Sequence, residues 1–412
     1  GRGQVVTISG EAGIGKSVLI DGLRAEVRAA GMPVITFRCS PYPANSAMSP
    51  VIEHFKRLAG WQVEDGPDAR IGKLETMLRS YEQPLKETVP LFASLMSLVL
   101  PDERYAPLVM TPQQQKRETQ DAIIALTLEA AEREPLLELW EDLHWADPST
   151  LELLGLLIEQ VPTASLLMVL TARPEFVAPW PARSRITPIT LNRLERAHAE
   201  ALIAQLAGMK PLPAEVIDHI VTKTDGVPLY VEELTKTILA SNVLNDAGEC
   251  YELSGPLSSL EIPDTLQESL MARLDRLPQV RELAQLGSVL GREFAYEMLS
   301  GLSSAGEALL QEGLGQLVED ELLYQRGRPP RAKYIFKHAL LQDAAYASLL
   351  RRTRQQYHRQ VAELLEARFP ETTEAHPELL AHHLSEAGEA GRAIEYFQKA
   401  GEQSLHSSAN AE

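Results

Sequence analysis

The sequence predicts an α/β fold in which a parallel sheet of five strands is followed by a helical C-terminal half. In the first half of the 412 residues, short apolar runs alternate with helical patterns, which is typical of a parallel sheet covered on both faces. From Glu195 onward these runs stop, and apolar residues recur mainly at helical spacing. This change divides the chain into an α/β core at residues 1–192 and a series of helical units behind it.

Each strand of the core is predicted from a short run of apolar or β-branched residues. Helices are predicted between the strands, beginning at about Lys16 and covering residues 51–58, 73–80 and 112–133. Another helix is predicted after the third strand, because Asp147 is a good N-cap and Pro148 suits the first helical position. The five predicted strands are residues 4–9, 32–39, 135–140, 165–172 and 186–191.

The helical half is predicted to contain three units. Residues 193–245 form a helical lid, with helices at 195–206, 213–224 and 229–240. Residues 246–352 combine helices at 264–276, 279–290, 306–318 and 338–350 with a β-hairpin at 322–326 and 333–336, which is the pattern of a winged helix. Residues 353–412 form a helical linker and the start of a tetratricopeptide-like array, although one copy cannot establish a repeat period.

The stretch SGEAGIGKS, residues 9–17, follows the first strand and opens the first helix. Gly10, Gly15, Lys16 and Ser17 fit the pattern G-x-x-x-x-G-K-[ST] of a phosphate-binding loop in the strand–loop–helix context that the motif requires. Lys16 would reach the β- and γ-phosphates of a nucleotide, and the Ser17 hydroxyl would bind Mg²⁺. The alternative is a structural glycine turn with a surface lysine. The residues predicted to contact the nucleotide here are Gly10, Glu11, Ala12, Gly13, Ile14, Gly15, Lys16, Ser17 and Val18.

Two acids at the end of the third strand, Glu141 and Asp142, are the predicted partners of the metal ion. The first would hold Mg²⁺ directly or through water, and the second would orient the attacking water. Arg173, directly after the fourth strand, would sense the γ-phosphate through charge-assisted hydrogen bonds. The alternatives are an acidic strand end and a surface arginine. Hydrolysis is less strongly indicated than binding, because Glu138 and the large Trp140 interrupt a strand that should be continuously apolar.

The composition argues against several classes of function. The formal net charge of −18 opposes a bulk nucleic-acid-binding surface, and the basic run at 351–359 is expected to be solvated or intramolecular. The two cysteines fit no metal or redox spacing, which predicts a reducing compartment, the cytoplasm. No apolar run is long enough to span a membrane, and there is no signal peptide. Both ends look cut, so we expect a middle piece of a longer protein.

Several stretches, in this order, resemble the STAND-type AAA ATPases: GEAGIGKS, FRCSPY, EDLHWADPSTLELL, LTARPEF, TDGVPLYVEELTK and FKHALLQDAAY. The strongest likeness is to the ATPase modules of bacterial signalling proteins, which follow a class III nucleotide cyclase or a protein kinase and precede tetratricopeptide repeats. The likeness extends over nearly the whole chain. It implies a P-loop NTPase core with strand order 5-1-4-3-2, over which a helical lid and a winged helix close.

The resemblance also implies roles for single residues and for cofactors. Lys16 and Ser17 match the Walker A pair, and Glu141 and Asp142 match the Walker B acids, although the first acid is aspartate in many relatives. Arg173 matches a sensor arginine. The implied cofactors are ATP or ADP with Mg²⁺.

Two further positions are implied in the helical half. Gly226 and Pro228 match a G-x-P motif that contacts adenine. His338 falls in the winged-helix segment where some relatives place a histidine near the β-phosphate, although the local sequence differs.

Together these inferences predict a regulatory ATPase that hydrolyses slowly. ADP would favour a closed, inactive form, whereas ATP and a protein or small-molecule signal on the C-terminal repeats would favour an open form that oligomerises. The output would be a fused or associated cyclase or kinase, with no membrane and no direct nucleic acid contact. Two alternatives remain open: a transcription regulator with the same core, and a non-hydrolysing scaffold that binds nucleotide for stability.

Overall fold

A parallel five-stranded sheet forms the centre of the core, as the sequence predicts. In the computed structural model the described residues are 3–40, 47–62, 64–101, 104–181, 186–241, 243–254, 265–275, 277–303 and 305–406. The core strands are β1 (Gln4–Ser9), β2 (Val34–Arg38), β3 (Leu136–Glu141), β4 (Leu166–Ala172) and β5 (Ile186–Thr190). Their order is β2-β3-β4-β1-β5, and every neighbouring pair is parallel, so the order 5-1-4-3-2 is confirmed.

Helices cover both faces of this sheet. Helix α1 packs on one face, where Ile20 meets Ile8, Leu137 and Leu139 in a small apolar cluster. The other face carries the larger cluster, to which α2 to α6 contribute. The core helices are α1 (Lys16–Ala29), α2 (Ser49–Leu58), α3 (Pro67–Ser80), α4 (Leu85–Leu95), α5 (Pro112–Arg133) and α6 (Pro148–Gln160).

Helices α3 and α4 differ from the sequence expectations. Helix α3 begins six residues before the predicted 73, because Gly66 and Pro67 start it with a polar first turn that carries no apolar period. Helix α4, which was not predicted, is a buried core helix at the start of the longest apolar stretch of the sequence. In the described part of the chain, no helix combines the length and the apolar character needed to cross a membrane.

The two residues that interrupt the apolar pattern of β3 are both buried on the face away from α1. Trp140 stacks on Phe37 with ring centroids 3.9 Å apart. Its Nε1–H donates to the carboxyl group of Glu138 at 3.2 Å. Burial raises the pKa of Glu138 to about 7, so this carboxyl is partly protonated at neutral pH and its burial costs less than that of a full charge. Strand β3 therefore packs in the core like its neighbours, although its sequence is not continuously apolar.

The lid is a three-helix unit beside the carboxyl edge of the sheet. Its apolar cluster includes Ile203, Ile220 and Leu234, one from each helix. A short antiparallel hairpin follows it, in a segment that the sequence predicts only as a turn-rich joint. Strands of three residues are too short to show a period, which is why they were missed. The elements are α7 (Arg196–Leu206), α8 (Ala214–Thr224), α9 (Pro228–Leu239), β6 (Leu244–Asp246) and β7 (Tyr251–Leu253).

The next unit contains the predicted hairpin, but as part of a three-stranded antiparallel sheet in the order β8-β10-β9. From α11 onward the order is helix, strand, two helices, two strands and a helix, and the added strand β8 and helix α12 are short. The assignment of residues 246–352 as a winged-helix region stays a prediction. Of the predicted helix 264–276, both end residues lie outside the described part of the chain. The elements are α10 (Leu266–Asp275), α11 (Pro278–Leu290), β8 (Glu293–Ala295), α12 (Tyr296–Leu302), α13 (Glu307–Glu319), β9 (Leu323–Arg326), β10 (Lys333–Phe336) and α14 (Ala339–Ala347).

The C-terminal part is helical throughout its described length. Its last two helices pack against each other as a neighbouring pair. The last residues of the proposed repeat, 407–412, lie outside the described residues. Because one helix pair cannot establish a repeat, the tetratricopeptide assignment stays a prediction, and so do the bounds of the four domains. The helices are α15 (Arg351–Arg368), α16 (Pro370–Ala375), α17 (Pro377–Glu386) and α18 (Ala390–His406).

Buried histidines between α15 and α17 make this C-terminal part sensitive to acid. The Nδ1 atoms of His358 and His383 lie 2.9 Å apart, and Nε2 of His358 lies 2.9 Å from the Tyr346 hydroxyl. Burial lowers the pKa of His358 to about 3, helped by the charges of His382 and Arg354. The pKa of His383 is also lowered well below its usual value, again mainly by burial.

We therefore expect the free energy of unfolding to fall as the pH drops below about 6.5. Below this pH the histidines of the unfolded chain become protonated, whereas these buried histidines of the folded protein stay neutral. His358 alone would cost about 2 kcal/mol at pH 5. Urea unfolding at pH 7 and pH 5, followed by hydrogen exchange in α15 and α17, measures the loss. The His358→Phe variant should show a smaller difference between the two pH values. Equal stability of the wild type at both pH values would contradict the prediction.

Candidate nucleotide-binding site

The loop of residues 10–15 lies at the carboxyl end of β1, which is flanked by β4 and β5. Gly13 and Gly15 have φ angles of 79° and 103°, which side-chain-bearing residues rarely adopt. Gly15 is the N-cap of α1 and no side chain caps this helix end, so its first N–H groups remain available to an anion. The loop thus has the backbone form of an anion cradle.

The ammonium group of Lys16 lies over this loop. It donates to the carbonyl oxygens of Gly10 at 2.6 Å and Glu11 at 2.9 Å. The pKa of Lys16 is lowered, chiefly by burial; the charge of Arg173 adds to this effect, and the charge of Asp142 opposes it. The structure therefore places Lys16, Asp142 and Arg173 within electrostatic reach of each other, as the sequence predicts.

Asp142 ends β3 in a left-handed conformation, with a φ of 62°. Its N–H donates to the Thr171 hydroxyl of β4 at 3.0 Å, which fixes this unusual backbone. Its Oδ2 accepts a hydrogen bond from Arg292 at 3.2 Å. Arg292 lies between α11 and β8, 150 residues further along the chain, so a distant unit reaches the second acid.

Glu141 is the neighbour of Asp142 but has different partners. It is 6% exposed and lies on the α1 face of the sheet. Its Oε1 accepts from Arg24 at 2.6 Å and from Arg38 at 3.4 Å. A metal ion at Glu141 would have to compete with both guanidinium groups for this oxygen.

Arg173 and His144 add to the group around Asp142. The guanidinium of Arg173 lies 5.6 Å from the centre of the Trp145 ring. Burial lowers the pKa of His144, an effect that Arg173 and Lys16 increase and Asp142 opposes. Its buried Nδ1 has no hydrogen-bond partner among the described residues. The sequence suggested no role for His144, and its position two residues after Asp142 is the signal that could have found it.

The lid closes directly onto the loop. The N–H of Leu229 donates to the carbonyl oxygen of Gly13 at 3.2 Å, which brings the preceding Pro228, the first residue of α9, to the loop. Arg193 pairs with Glu11 of the loop at 3.1 Å and with Asp225 of the lid. Of the two predicted lid residues, Pro228 is thus beside the loop, whereas the backbone of Gly226 pairs with that of Leu194. Arg193 was missed because its partners are 182 and 32 residues away.

His338 is the N-cap residue of α14 and faces the lid. Burial lowers its pKa to about 4, opposed by the charge of Glu232 in α9 and increased by Arg273 and Arg292. It is therefore neutral at pH 7. The groups that act on His338 belong to the lid and the winged-helix region, and its predicted contact with a phosphate stays a prediction.

These residues fit a nucleotide with Mg²⁺. The uncapped N–H groups and the Lys16 ammonium suit phosphates. The Ser17 hydroxyl and the two carboxylates are oxygen ligands of the kind that Mg²⁺ prefers. The lid supplies Pro228 as an apolar contact for a base. The assignments of Gly10 to Val18, Glu141, Asp142, Arg173, Gly226, Pro228 and His338 remain predictions.

Comparisons with known proteins agree with this arrangement. Residues 1–170 match a family model described as AAA ATPase domain. The whole chain is 26% identical, over 423 residues, to an uncharacterized protein of Rhizobium meliloti, of which it spans 40%. Its fold is similar to that of a signal transduction ATPase with numerous domains (STAND) with a tetratricopeptide repeat sensor from Pyrococcus horikoshii. That structure gives a TM-score of 0.51 at 13% identity, covering 98% of this chain and 56% of the other.

Proposed function

We propose that this chain, an AAA ATPase module with the fold of a STAND protein, is a nucleotide-dependent switch that binds ATP or ADP and hydrolyses ATP slowly. The observation that carries the proposal is the convergence of three units on one site, the loop and the acid Asp142 beside it. The core supplies Lys16 and Asp142, the lid supplies Leu229 at the loop, and the winged-helix region supplies Arg292 at Asp142. A ligand bound there touches units that can separate, so its phosphates can favour one relative arrangement of these units over another.

In this proposal Lys16 and the backbone of the loop hold the phosphates, and Ser17 with Glu141 hold Mg²⁺, which would neutralise charge on the transferred phosphate. Asp142 orients the water, and Arg173 senses the third phosphate through charge-assisted hydrogen bonds. Pro228 contacts the base, and Gly226 allows the turn that places it there. His338 reports on the phosphates from the winged-helix region.

The wider role is proposed from the resemblance of the sequence motifs to bacterial signalling proteins. The switch would control a fused or associated cyclase or kinase in the cytoplasm, respond to a signal on C-terminal repeats, and oligomerise in its ATP form. The chain spans less than half of the Rhizobium relative, which leaves length for such domains in a protein of that size.

The pairing of the two acids with arginines supports slow turnover. Arg292 holds Asp142, and Arg24 with Arg38 holds Glu141, so a water or metal ion would have to compete with guanidinium groups for an oxygen of each carboxylate. We expect phosphate release below about one per minute, well under the usual range of enzymes. Asp142→Asn should slow it further with nucleotide affinity nearly unchanged.

Freeing the acid should have the opposite effect. We expect Arg292→Ala to raise turnover several-fold, because it releases Asp142, and to do nothing in the Asp142→Asn background. Arg281→Ala is the matched control, since Arg281 lies on α11, the helix directly before Arg292, and pairs with Asp275 at 2.7 Å. Steady-state phosphate release decides between the readings. Turnover of many per second would contradict the switch. Tight binding without any turnover in the wild type and all four variants would favour the non-hydrolysing scaffold, which the engaged Glu141 also suits.

A further inference from the structure

A second polar cleft lies beside the nucleotide site. It has a volume of about 810 Å³ and separates the open edge of the sheet, at β2, from the three-stranded sheet of the winged-helix region. Its described lining residues come from α1, β2, α2, the turn after β3 and strands β8 to β10, and not from the phosphate-binding loop. The cleft is therefore a separate site with its own walls.

Positive charge dominates this cleft. Seven basic and three acidic side chains line it, an excess of four positive charges in a chain whose net charge is −18. This excess of four charges does not include His54, whose pKa is lowered to about 4 by burial and which is neutral at pH 7. Four arginines come from the core wall: Arg24, Arg28, Arg38 and Arg57.

The opposite wall carries Arg292, Arg326 and Lys333. Arg326 and Lys333 are directly opposite each other in the β9–β10 pair, so their side chains leave the sheet on the same face. Like charges in this position repel each other. Lys333 has Glu293 as a partner at 3.1 Å, but Arg326, like Arg28 on the core wall, has no polar partner among the described residues. An anion between the walls would relieve this repulsion.

We propose that the cleft binds a small polyanion that carries at least two linked phosphate groups. The volume is in the range of small-molecule sites, about 300–1,000 Å³. Guanidinium groups present paired N–H donors that match phosphate oxygens. Because the cations stand on two facing walls, a ligand with charge at more than one point matches them better than a single carboxylate does.

The same arginines link the cleft to the nucleotide site, a step that rests on the proposed function. Arg24 and Arg38 hold Glu141, and Arg292 holds Asp142. Phosphates in the cleft compete with these carboxylates for the guanidinium groups. A bound polyanion therefore releases both acids toward the nucleotide and raises turnover.

Binding is tested with inorganic tripolyphosphate by calorimetry on the Lys16→Ala protein, without divalent ions, so that the phosphate-binding loop does not contribute. We expect binding that weakens steeply as salt rises. Arg326→Glu with Lys333→Glu should weaken it at least about tenfold, since two attractive charges become repulsive. Arg351→Glu with Arg352→Glu, on exposed positions of α15, changes the net charge equally and should leave it within about twofold.

Two outcomes overturn the proposal: no binding to the Lys16→Ala protein, or an equal loss in both double variants. Two further ligands identify the chemical source. Tighter binding of ATP than of tripolyphosphate to the same protein supports a nucleotide as the polyanion, and the reverse order supports a free polyphosphate. Tighter binding of an oligoglutamate peptide than of either contradicts a phosphate site.

The link to turnover is measured separately, in the protein with an intact loop. Tripolyphosphate also competes with ATP at the loop, but this competition is common to the wild type and to the Arg326→Glu, Lys333→Glu protein. The difference between the two proteins isolates the cleft. We expect higher turnover in the wild type at equal loop occupancy. No difference would remove the link, whereas the calorimetry with Lys16→Ala would still decide whether the cleft binds.

Discussion

Replacing Lys16 with alanine is expected to weaken binding of ATP and ADP at least about 100-fold. Lys16 is the loop's own cation, and its ammonium group already lies over the loop, within hydrogen-bonding distance of the carbonyl oxygens of Gly10 and Glu11. A phosphate that binds there gains a charge-assisted contact in a partly buried site, and losing such a contact costs about 3 kcal/mol. Calorimetry with ADP measures the change directly.

The fold should survive this substitution, because Lys16 is an early residue of α1 whose contacts are with the loop backbone. Lys116→Ala is a suitable control, since Lys116 forms an ion pair with Glu152 at 2.6 Å on α5 and α6, away from the loop. It should bind ADP like the wild type. Equal ADP affinity of the Lys16→Ala and wild-type proteins would show that the loop does not bind phosphate through this side chain.

Replacing Gly226 with alanine is expected to destabilise the lid by about 3 kcal/mol or more and to speed the release of ADP. Gly226 has a φ of 70°, and a Cβ atom there would lie 2.3 Å from the carbonyl oxygen of Leu194. That backbone cannot retreat freely, because the Leu194 N–H donates to the Gly226 carbonyl oxygen at 2.8 Å. The turn that places Pro228 and Leu229 at the loop would have to shift.

Gly208 separates the two causes of this effect. It also has a positive φ, of 67°, but a Cβ atom there meets nothing within 4 Å. Gly208→Ala should therefore lower the free energy of unfolding only by the conformational cost of about 1–2 kcal/mol, and the rate of ADP release should stay unchanged. Urea unfolding and the dissociation of a fluorescent ADP analogue measure both quantities. If the two variants lose equal stability and release ADP equally, the close contact at Leu194 has no role in holding the lid on the loop.

Local sequence patterns were sufficient for the central sheet and the loop. Strand β1 is a short β-branched run and β4 is a mostly apolar run. The phosphate-binding motif lies between a strand and a helix, the context in which its glycines and lysine bind phosphate. The order of the sheet came from the resemblance of motifs and is confirmed. Short elements such as β8, with three residues, escaped prediction because they show no period.

The buried acid Glu138 shows where sequence reasoning misjudged the chemistry. From the sequence alone, a carboxyl group in a central strand is expected to destabilise the fold, because burial of a charge is costly. The structure gives it the Trp140 indole as a hydrogen-bond donor and a pKa raised to about 7. Trp140 belongs to the same strand, but the burial that raises the pKa comes from the elements packed on this face of the sheet, so the strand alone could not reveal it.

By itself, the sequence determined which residues are the candidates for phosphate and metal contact: the loop with Lys16 and Ser17, the acids Glu141 and Asp142, and Arg173. These depend on spacing within a few residues, which local patterns retain. Only the tertiary structure decided which partners those groups meet. Arg292 reaches Asp142 across 150 residues, and Arg24 reaches Glu141 across 117. Such pairings, and the basic cleft between the sheet edge and the winged-helix region, arise because folding brings distant charges together, and no periodicity in the chain records them.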